Sequence, residues 1–362
     1  MELHDLTLRE GDQMPDRSYD ADAKVEAALA LDRLGIAGIQ AGFPATGEVD
    51  RETIRRLDGQ VDANVIGLAR AVESDVDKVA DAGADGVDIF TYLSERQLRH
   101  VVDKSREEML DATLAAVDHA RDRGLDVEVS LVDSFRTDLD VQVDALERLS
   151  DLPVVNLPDS VGAVTPLTVS ERLDALSERV DLSRVGVHFH DDLGCAAANT
   201  LVAKERGVAK ADVAVAALGE RAGNTPLEQV VAGSTSDRGD DLGLHVEELI
   251  PACHDVLDAL DEVIDERTPV LGAEPVTHES GIHTTAMLAE PSAFEPFDPA
   301  TFGGTRRLVF GPKSGRGAAT GLLERAGLEP TDERVDRALD LFEAEGPLEA
   351  EAAVALLAAR ID

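Results

Sequence analysis

The chain has 362 residues, enough for one barrel-sized domain of about 250 residues and a smaller appendage. Lys and Arg total 34 against 73 Asp and Glu, a formal net charge of -39, and no basic stripe is present to meet phosphates, so nucleic acid is excluded as a partner. The hydrophobic fraction of 43% is that of a globular protein and argues against wholesale disorder.

Eight short segments rich in β-branched residues are predicted as strands. They alternate with longer segments whose apolar residues recur near a 3.6-residue period, as in amphipathic helices. Parallel strands need a crossover connection, so the alternation predicts parallel pairing. The count of eight, without a GxGxxG after the first strand, favours an α/β fold of the TIM (β/α)8 type over an open doubly wound sheet. The predicted strands are residues 3–8, 37–42, 63–69, 86–91, 126–132, 153–157, 184–190 and 211–217.

Helices are predicted between these strands, and the pattern changes after about residue 245. A further helix is expected over 246–263, and residues 269–310 are rich in Pro and Gly with little periodicity, as in a functional segment or small subdomain. From residue 314 the chain is again helical. We therefore predict a catalytic barrel over 1–265 and a linker with a C-terminal, mostly helical subdomain over 266–362. The helices predicted in the barrel include 21–34, 73–82, 105–123, 139–149, 166–179 and 196–206.

The acidic residues are spread along the whole chain, and 28 Arg stand beside only 6 Lys. A dispersed acidic surface with few lysines is typical of adaptation to high salt, where self-repulsion is screened. Cys195 and Cys253 lack metal-type spacing, and a reduced intracellular chain is the simpler interpretation. No apolar run of 18 or more residues and no signal-peptide pattern is present, so a cytoplasmic protein that does not enter membranes is expected.

Polar, reactive residues follow six of the predicted strands, where barrel enzymes carry their active sites. The sharpest pattern is His188-x-His190, because residues i and i+2 of a strand point to the same face. An HxH pair alone is more often structural. Glu10 strengthens the metal hypothesis, since only strand 8 separates strands 1 and 7 in a closed barrel. Two His and one carboxylate suit Zn, Mn, Fe or Co better than Mg, and Asn224 could add a neutral oxygen ligand.

Several other groups allow both a structural and a functional interpretation. Arg9 could form a barrel salt bridge or stabilise an oxyanion. Arg136 could bind a substrate carboxylate or pair with Asp133 or Asp138. The segment His278-Glu-Ser-Gly-Ile-His283 could hold a second metal or a mobile general base, although no helical pattern supports an HExxH site. Residues 311–317 imitate a phosphate loop but are interpreted as the start of a helix.

With these motifs the sequence resembles the DRE-type TIM-barrel metallolyase superfamily, from Leu6 to about Gly317. It is most similar to the Claisen-condensing branch, the 2-isopropylmalate, citramalate and homocitrate synthases. The opening motif is Leu6-Thr-Leu-Arg-Glu-Gly-Asp-Gln13, and the later ones are Pro158-Asp-Ser-Val-Gly162, His188-Phe-His190 and Gly219-Glu-Arg-Ala-Gly-Asn224. The segment 278–283 is typical of the condensing branch and not of the lyases.

The resemblance implies an acyltransferase that condenses acetyl-CoA with a 2-oxo acid. A divalent ion (Mn, Mg, Zn or Co) at Glu10, His188, His190 and Asn224 would bind the 2-oxo acid. His283 would remove a methyl proton from acetyl-CoA, and the segment that carries it reaches into the partner's barrel in this family, which implies a homodimer. The resemblance also implies catalytic roles for Arg9 and Gln13 and substrate-binding roles for Gln40, Gln97, Arg136 and Ser160.

Substrate choice is less clear than the reaction, although the closest similarity is to the homocitrate synthase type. Glu10, the segment 94–97 and Asp133-Ser-Phe-Arg136 look similar to homocitrate synthases, whereas Ala41-Gly-Phe-Pro44 is familiar from isopropylmalate synthases. A chain that ends near residue 362 is expected to lack the C-terminal regulatory domain of long isopropylmalate synthases.

The chain also departs from the family pattern. Gln40 and Val132 stand in place of Glu, Phe294 in place of Tyr, and Pro312-Lys313 in place of Lys-His. A lyase or aldolase of the same barrel, or a non-catalytic paralogue that binds a 2-oxo acid, are therefore the alternatives.

Overall fold

Eight parallel strands close into a barrel in chain order, with β1 paired to both β2 and β8. The closed barrel confirms the predicted fold class. The computed structural model describes residues 1–361, and the chain forms two units, Met1–Val263 and a second unit that begins at Ile264. The barrel strands β1 to β8 are Glu2–Asp5, Gly38–Gly42, Asn64–Arg70, Gly86–Tyr92, Asp126–Val132, Val155–Asp159, Val185–Phe189 and Lys210–Val213.

Helices follow the strands as the apolar period predicts. Several of the connections begin at residues in the left-handed region, such as Gly35 (φ 84°) and Gly83 (φ 87°), where a side chain would be strained. The helices of this unit, α1 to α11, are Thr7–Glu10, Ala21–Leu34, Glu48–Leu57, Glu73–Ala82, Glu95–Gln97, Arg106–Asp122, Leu139–Arg148, Pro166–Ser177, Ala196–Glu205, Leu227–Gly233 and Leu249–Ala259.

The prediction of a first strand over 3–8 is wrong, because β1 ends at Asp5 and Thr7–Glu10 form a helical turn. The carboxylate of Asp5 accepts hydrogen bonds from the backbone N–H and the hydroxyl of Thr7, at 2.8 and 3.0 Å. These hydrogen bonds end the strand at Asp5, although the alternation typical of a strand continues to Leu8 in the sequence. Arg9 and Glu10 therefore lie on a turn of helix above the barrel mouth.

The eighth strand is also shorter than predicted and ends at Val213 instead of residue 217. Ala216 and Ala217 both have positive φ, 48° and 58°, which no strand can accommodate. The backbone N–H of Ala216 donates to a carboxylate oxygen of Glu228 at 3.0 Å, and this contact holds the bend. Likewise the helix predicted over 246–263 covers only Leu249–Ala259 as α-helix.

Up to residue 361, the second unit contains a small sheet and four α-helices. Strand β10 (Arg307–Phe310) pairs with β9 (Thr277–His278) and β11 (Leu348–Glu349). Helix α12 (Gly281–Ala289) lies inside the segment that appeared to lack periodicity, so the sequence pattern missed it. The remaining helices, α13 to α15, are Arg316–Arg325, Asp332–Glu345 and Ala350–Arg360. Phe310, Leu322 and Phe342 are among the residues that form its own apolar core.

Within residues 1–361, no helix combines the length and the apolar character that a membrane crossing requires. Cys195 and Cys253 are free thiols, and Cys253 is buried.

Candidate active site

Three buried side chains converge above the barrel. One ligand atom of each of Glu10, His188 and His190 lies within 4.8 Å of the corresponding atoms of the other two. Glu10 comes from the helical turn after β1, whereas His188 lies on β7 and His190 directly follows that strand. The two imidazole centroids are 5.0 Å apart, as expected for residues i and i+2 on one face.

The hydrogen bonding of these residues fits a divalent cation. Glu10 Oε2, His190 Nδ1 and Asn224 Oδ1 are buried, and none has a hydrogen-bond partner among the described residues. The amide of Asn224 donates to the carbonyl of Leu218 at 3.2 Å, which leaves its oxygen free. Buried polar atoms without partners are costly, and a cation would satisfy all three. Gly219 allows this approach, because a Cβ there would overlap the Asn224 side chain.

Both imidazoles can present a lone pair. Burial, together with the neighbouring His188, lowers the pKa of His190 to about 3, so this imidazole is neutral at physiological pH. His188 Nδ1 lies 3.3 Å from Asp212 Oδ2. Donation from Nδ1 to this carboxylate leaves Nε2 of His188 as the free nitrogen. Two imidazoles and a carboxylate form a donor set suited to Zn, Mn, Fe or Co.

Arg9 links Glu10 to the barrel interior. Its guanidinium contacts the Glu10 carboxylate and donates to Gln40 Oε1. Gln40 in turn donates to Asp88 Oδ2 at 3.1 Å, and Ser130 donates to the same oxygen at 2.9 Å. Because Gln40 is neutral and carries both a donor and an acceptor, it connects a cation to an anion; a Glu here would face Asp88 as a like charge.

Burial shifts the pKa values of the two charged groups in this series of contacts, Arg9 and Asp88. Burial lowers the pKa of Arg9 to about 10, against the opposite effect of Asp88 and Asp212, so Arg9 stays charged at neutral pH. Burial raises the pKa of Asp88 to about 6, although Lys210 acts in the opposite direction. Asp88 Oδ1 is buried without a hydrogen-bond partner among the described residues. Asp88 can therefore accept one more donor from a ligand.

A cavity of about 360 Å³ opens beside these residues. Arg9, Glu10, His188 and His190 line it, together with three more residues that were predicted for the site. Those three are Gln13, Gln97 and Ser160. The other lining residues are Leu68, Asp88, Phe90, Tyr92, Val101, Ser130, Val132, Pro158, Asp212 and Glu220. Gln40, which was also predicted for the site, does not line the cavity and contacts Asp88 behind its wall.

The structure does not bring all the predicted residues together. Arg136 does not line the cavity, and its guanidinium forms two hydrogen bonds to Asp133, at 2.6 and 3.0 Å. This is the structural alternative considered for Arg136. His283 belongs to the second unit, where its ring stacks on Phe294 with centroids 4.0 Å apart.

Sequence reasoning missed the charged residues of the barrel interior. Asp88, Lys210 and Asp212 are buried inside the barrel, where aliphatic layers usually pack, and Glu128 is partly buried beside Lys210. Lys210 Nζ lies 3.1 Å from Asp212 Oδ1 and also contacts Glu128. A signal was present in Lys210-Ala-Asp212, because two charges at a spacing of two in a buried strand must share one face.

A buried carboxylate supports the chain bend beside the site. Glu228 accepts from the backbone of Ala216, and its other oxygen, Oε1, has no hydrogen-bond partner among the described residues. Burial raises the pKa of Glu228 to about 7. The unfolded chain ionises this group first, so its contribution to stability falls as pH rises from about 4.5 to about 7. Above about pH 7 the full cost of a buried charge is present.

We expect Glu228→Gln to increase the free energy of unfolding at pH 8.5 by about 1–3 kcal/mol, with a smaller gain at pH 5. Glutamine keeps an acceptor for Ala216 and cannot ionise. Denaturant unfolding at both pH values, at one fixed salt concentration, measures the gain. The exposed Glu171→Gln is the matched control and should show no pH-dependent gain. A gain of the same size at both pH values would contradict the assignment.

Comparison with known proteins places the chain in a family. The HMGL-like family profile matches residues 1–256, and the profile described as homocitrate synthase post-HMGL domain-like matches residues 270–346. The chain belongs to the HMGL-like family.

Curated relatives cover most of the chain. The homocitrate synthase AksA of Methanopyrus kandleri is 37% identical over 347 residues, which are 95% of this chain and 87% of the relative. The 2-isopropylmalate synthase of Methanocaldococcus jannaschii is 32% identical over 330 residues, covering 90% of this chain and 64% of the relative. The chain thus spans less than two thirds of this second relative. The solved HMG-CoA lyase of Bacillus subtilis shares the fold, with a TM-score of 0.65 at 20% identity, over 74% of this chain and 95% of that one.

Proposed function

We propose that this protein is an acyltransferase that condenses acetyl-CoA with a 2-oxo acid. The observation that carries the proposal is the convergence of the buried side chains of Glu10, His188 and His190 beside Arg9 at one cavity. The curated relatives named as homocitrate and 2-isopropylmalate synthases support the same chemistry. The match of residues 270–346 to a homocitrate synthase domain favours condensation over the lyase alternative.

The residues of the site would divide the work between binding and charge stabilisation. A divalent cation held by Glu10, His188, His190 and Asn224 would act as a Lewis acid toward the carbonyl of the 2-oxo acid. Arg9 remains charged and is held in place by Glu10 and Gln40, so its guanidinium can stabilise negative charge on the carbonyl oxygen as the new carbon–carbon bond forms. Gln13, Gln97 and Ser160 would position the substrate from the cavity wall.

His283 would accept the methyl proton of acetyl-CoA on an imidazole nitrogen. The C–H bond breaks, its electron pair forms the bond to the carbonyl carbon, and water then cleaves the thioester to release CoA. The ring of His283 stacks on Phe294, which offers no hydroxyl group to this nitrogen. Proton transfer therefore depends on the imidazole itself.

The side chain of the 2-oxo acid would be apolar. Leu68, Phe90, Tyr92, Val101 and Val132 line the cavity, and Phe90 and Tyr92 pack edge to face at 5.9 Å. Among the described residues that line this cavity, Arg9 is the single Lys or Arg, whereas four are acidic. A second substrate carboxylate would meet apolar surface and like charges, which is unfavourable. We therefore favour a branched or short monocarboxylic 2-oxo acid over 2-oxoglutarate.

A thiol-release assay with a panel of 2-oxo acids tests both parts of the proposal. Purified protein in molar KCl with Mn²⁺ and acetyl-CoA is expected to release CoA faster with 3-methyl-2-oxobutanoate or pyruvate than with 2-oxoglutarate, by at least about tenfold. Omission of the 2-oxo acid is the control. Faster release with 2-oxoglutarate would keep the condensation but contradict the apolar side chain, and no release with any acid would contradict the condensation.

We further propose a cytoplasmic homodimer adapted to high salt. Acetyl-CoA is an intracellular metabolite, which supports the compartment. The resemblance to dimeric synthases supports the dimer. The net charge of -39 supports adaptation to high salt, where the mutual repulsion of surface carboxylates is screened.

A further inference from the structure

The buried carboxylate of Asp212 contacts His188, one of the three converging residues. Asp212 on β8 has only 4% of its surface exposed, and its Oδ2 lies 3.3 Å from His188 Nδ1. This is the nitrogen of His188 on the far side of the ring from Nε2. The contact fixes both the direction of the ring and the nitrogen that carries the proton.

Asp212 is itself held by a buried cation. Lys210 and Asp212 are residues i and i+2 of β8, and Lys210 Nζ lies 3.1 Å from Asp212 Oδ1. Lys210 is 3% exposed and also contacts Glu128, whose other oxygen lies 3.3 Å from His4 Nδ1. The chain of contacts leaves the carboxylate of Asp212 one arrangement, with Oδ1 toward Lys210 and Oδ2 toward His188.

We propose that Asp212, anchored by Lys210, is a positioning residue that keeps the proton of His188 on Nδ1 and so presents Nε2 to a divalent cation. The inference rests on the metal site of the proposed function. It adds two residues that act through His188 and do not touch the substrate. Carboxylate partners of this kind typically change metal affinity by about 10–100-fold when they are removed.

Lys210 determines which way the amide of Asp212→Asn is oriented, so this variant gives a definite expected result. In Asp212→Asn, the amide oxygen must face the Lys210 ammonium, since an NH2 group there would place donor against donor. The NH2 group then faces His188 and needs an acceptor at Nδ1. The proton of His188 is therefore expected to move to Nε2, the nitrogen that the cation requires.

The first measurement needs no mutation. Nitrogen-15 chemical shifts of the labelled, metal-free full chain report the tautomer of each neutral histidine, and a His188→Gln spectrum assigns the signal. We expect the proton of His188 on Nδ1 in the wild type and on Nε2 in Asp212→Asn. A wild-type His188 with its proton on Nε2 would overturn the proposal, whatever the variants do.

The second measurement is calorimetric titration of the metal-stripped chain with Mn²⁺ in molar KCl. Asp212→Asn is expected to bind Mn²⁺ about 10–100-fold more weakly than the wild type. Asp75→Asn is the control: it removes a buried carboxylate that pairs with Arg70 and does not line the cavity. Its Mn²⁺ affinity should change less than about threefold.

The double variant Lys210→Met/Asp212→Asn distinguishes orientation from charge. Without the ammonium, the amide is free to turn its oxygen toward His188, so part of the lost Mn²⁺ affinity should return. Wild-type affinity in Asp212→Asn would contradict the proposal. If instead His190→Ala binds Mn²⁺ as the wild type does, the metal site itself is wrong, and the two failures remain distinguishable.

Discussion

Replacing His190 with Ala is expected to abolish binding of a divalent cation at the barrel mouth, with a loss of more than about 100-fold in affinity. His190 supplies one of three converging ligand atoms, and its Nδ1 has no hydrogen-bond partner among the described residues. The remaining Glu10 and His188 leave too few protein donors for tight binding. Calorimetric titration with Mn²⁺, together with metal analysis of the purified protein, measures the loss.

Condensing activity should fall with the metal, and removal of metal from the wild type by a chelator should have the same effect. The exposed His100→Ala is a matched control, since it removes an imidazole elsewhere on the barrel. A variant that lacks His190 but keeps a full equivalent of bound metal would show that Glu10, His188 and His190 are not the ligands.

Replacing Arg9 with Lys is expected to lower kcat by about 10²–10³-fold while Mn²⁺ affinity changes little. The planar guanidinium of Arg9 contacts Glu10 and Gln40 at once, and an ammonium cannot reproduce this fork. The guanidinium of Arg9 would stabilise charge that develops at the carbonyl oxygen. Its loss therefore destabilises the transition state more than it weakens substrate binding. Steady-state kinetics with the preferred 2-oxo acid separate kcat from KM.

The exposed Arg33→Lys, which alters a surface pair with Asp255, is the control and should retain wild-type kinetics. Mixing Arg9→Lys with His283→Ala adds a test of the dimer. If His283 serves the partner's barrel, mixed dimers contain one intact site, and about a quarter of the wild-type activity should appear. An Arg9→Lys variant with unchanged kcat would remove Arg9 from the proposed chemistry.

The barrel and the histidine pair could be predicted from sequence because both follow from local periods. Eight alternations of strand and helix indicate a parallel barrel, and the spacing of two in His188-x-His190 places both rings on one face of β7. Glu10 was placed correctly near them even though its strand was predicted too long, since the helical turn after Asp5 leads to the same mouth.

The tertiary structure alone decided how the charged groups are paired. Gln40 and Asp88 are 48 residues apart, and Glu128 and Lys210 are 82 apart, so no spacing along the chain could connect them. The pairing of Arg136, by contrast, is local, because its guanidinium binds the carboxylate of Asp133, three residues before it. Local periodicity thus determines which face a side chain takes, whereas closure of the barrel determines which charges meet in its interior, where unpaired charges are costly.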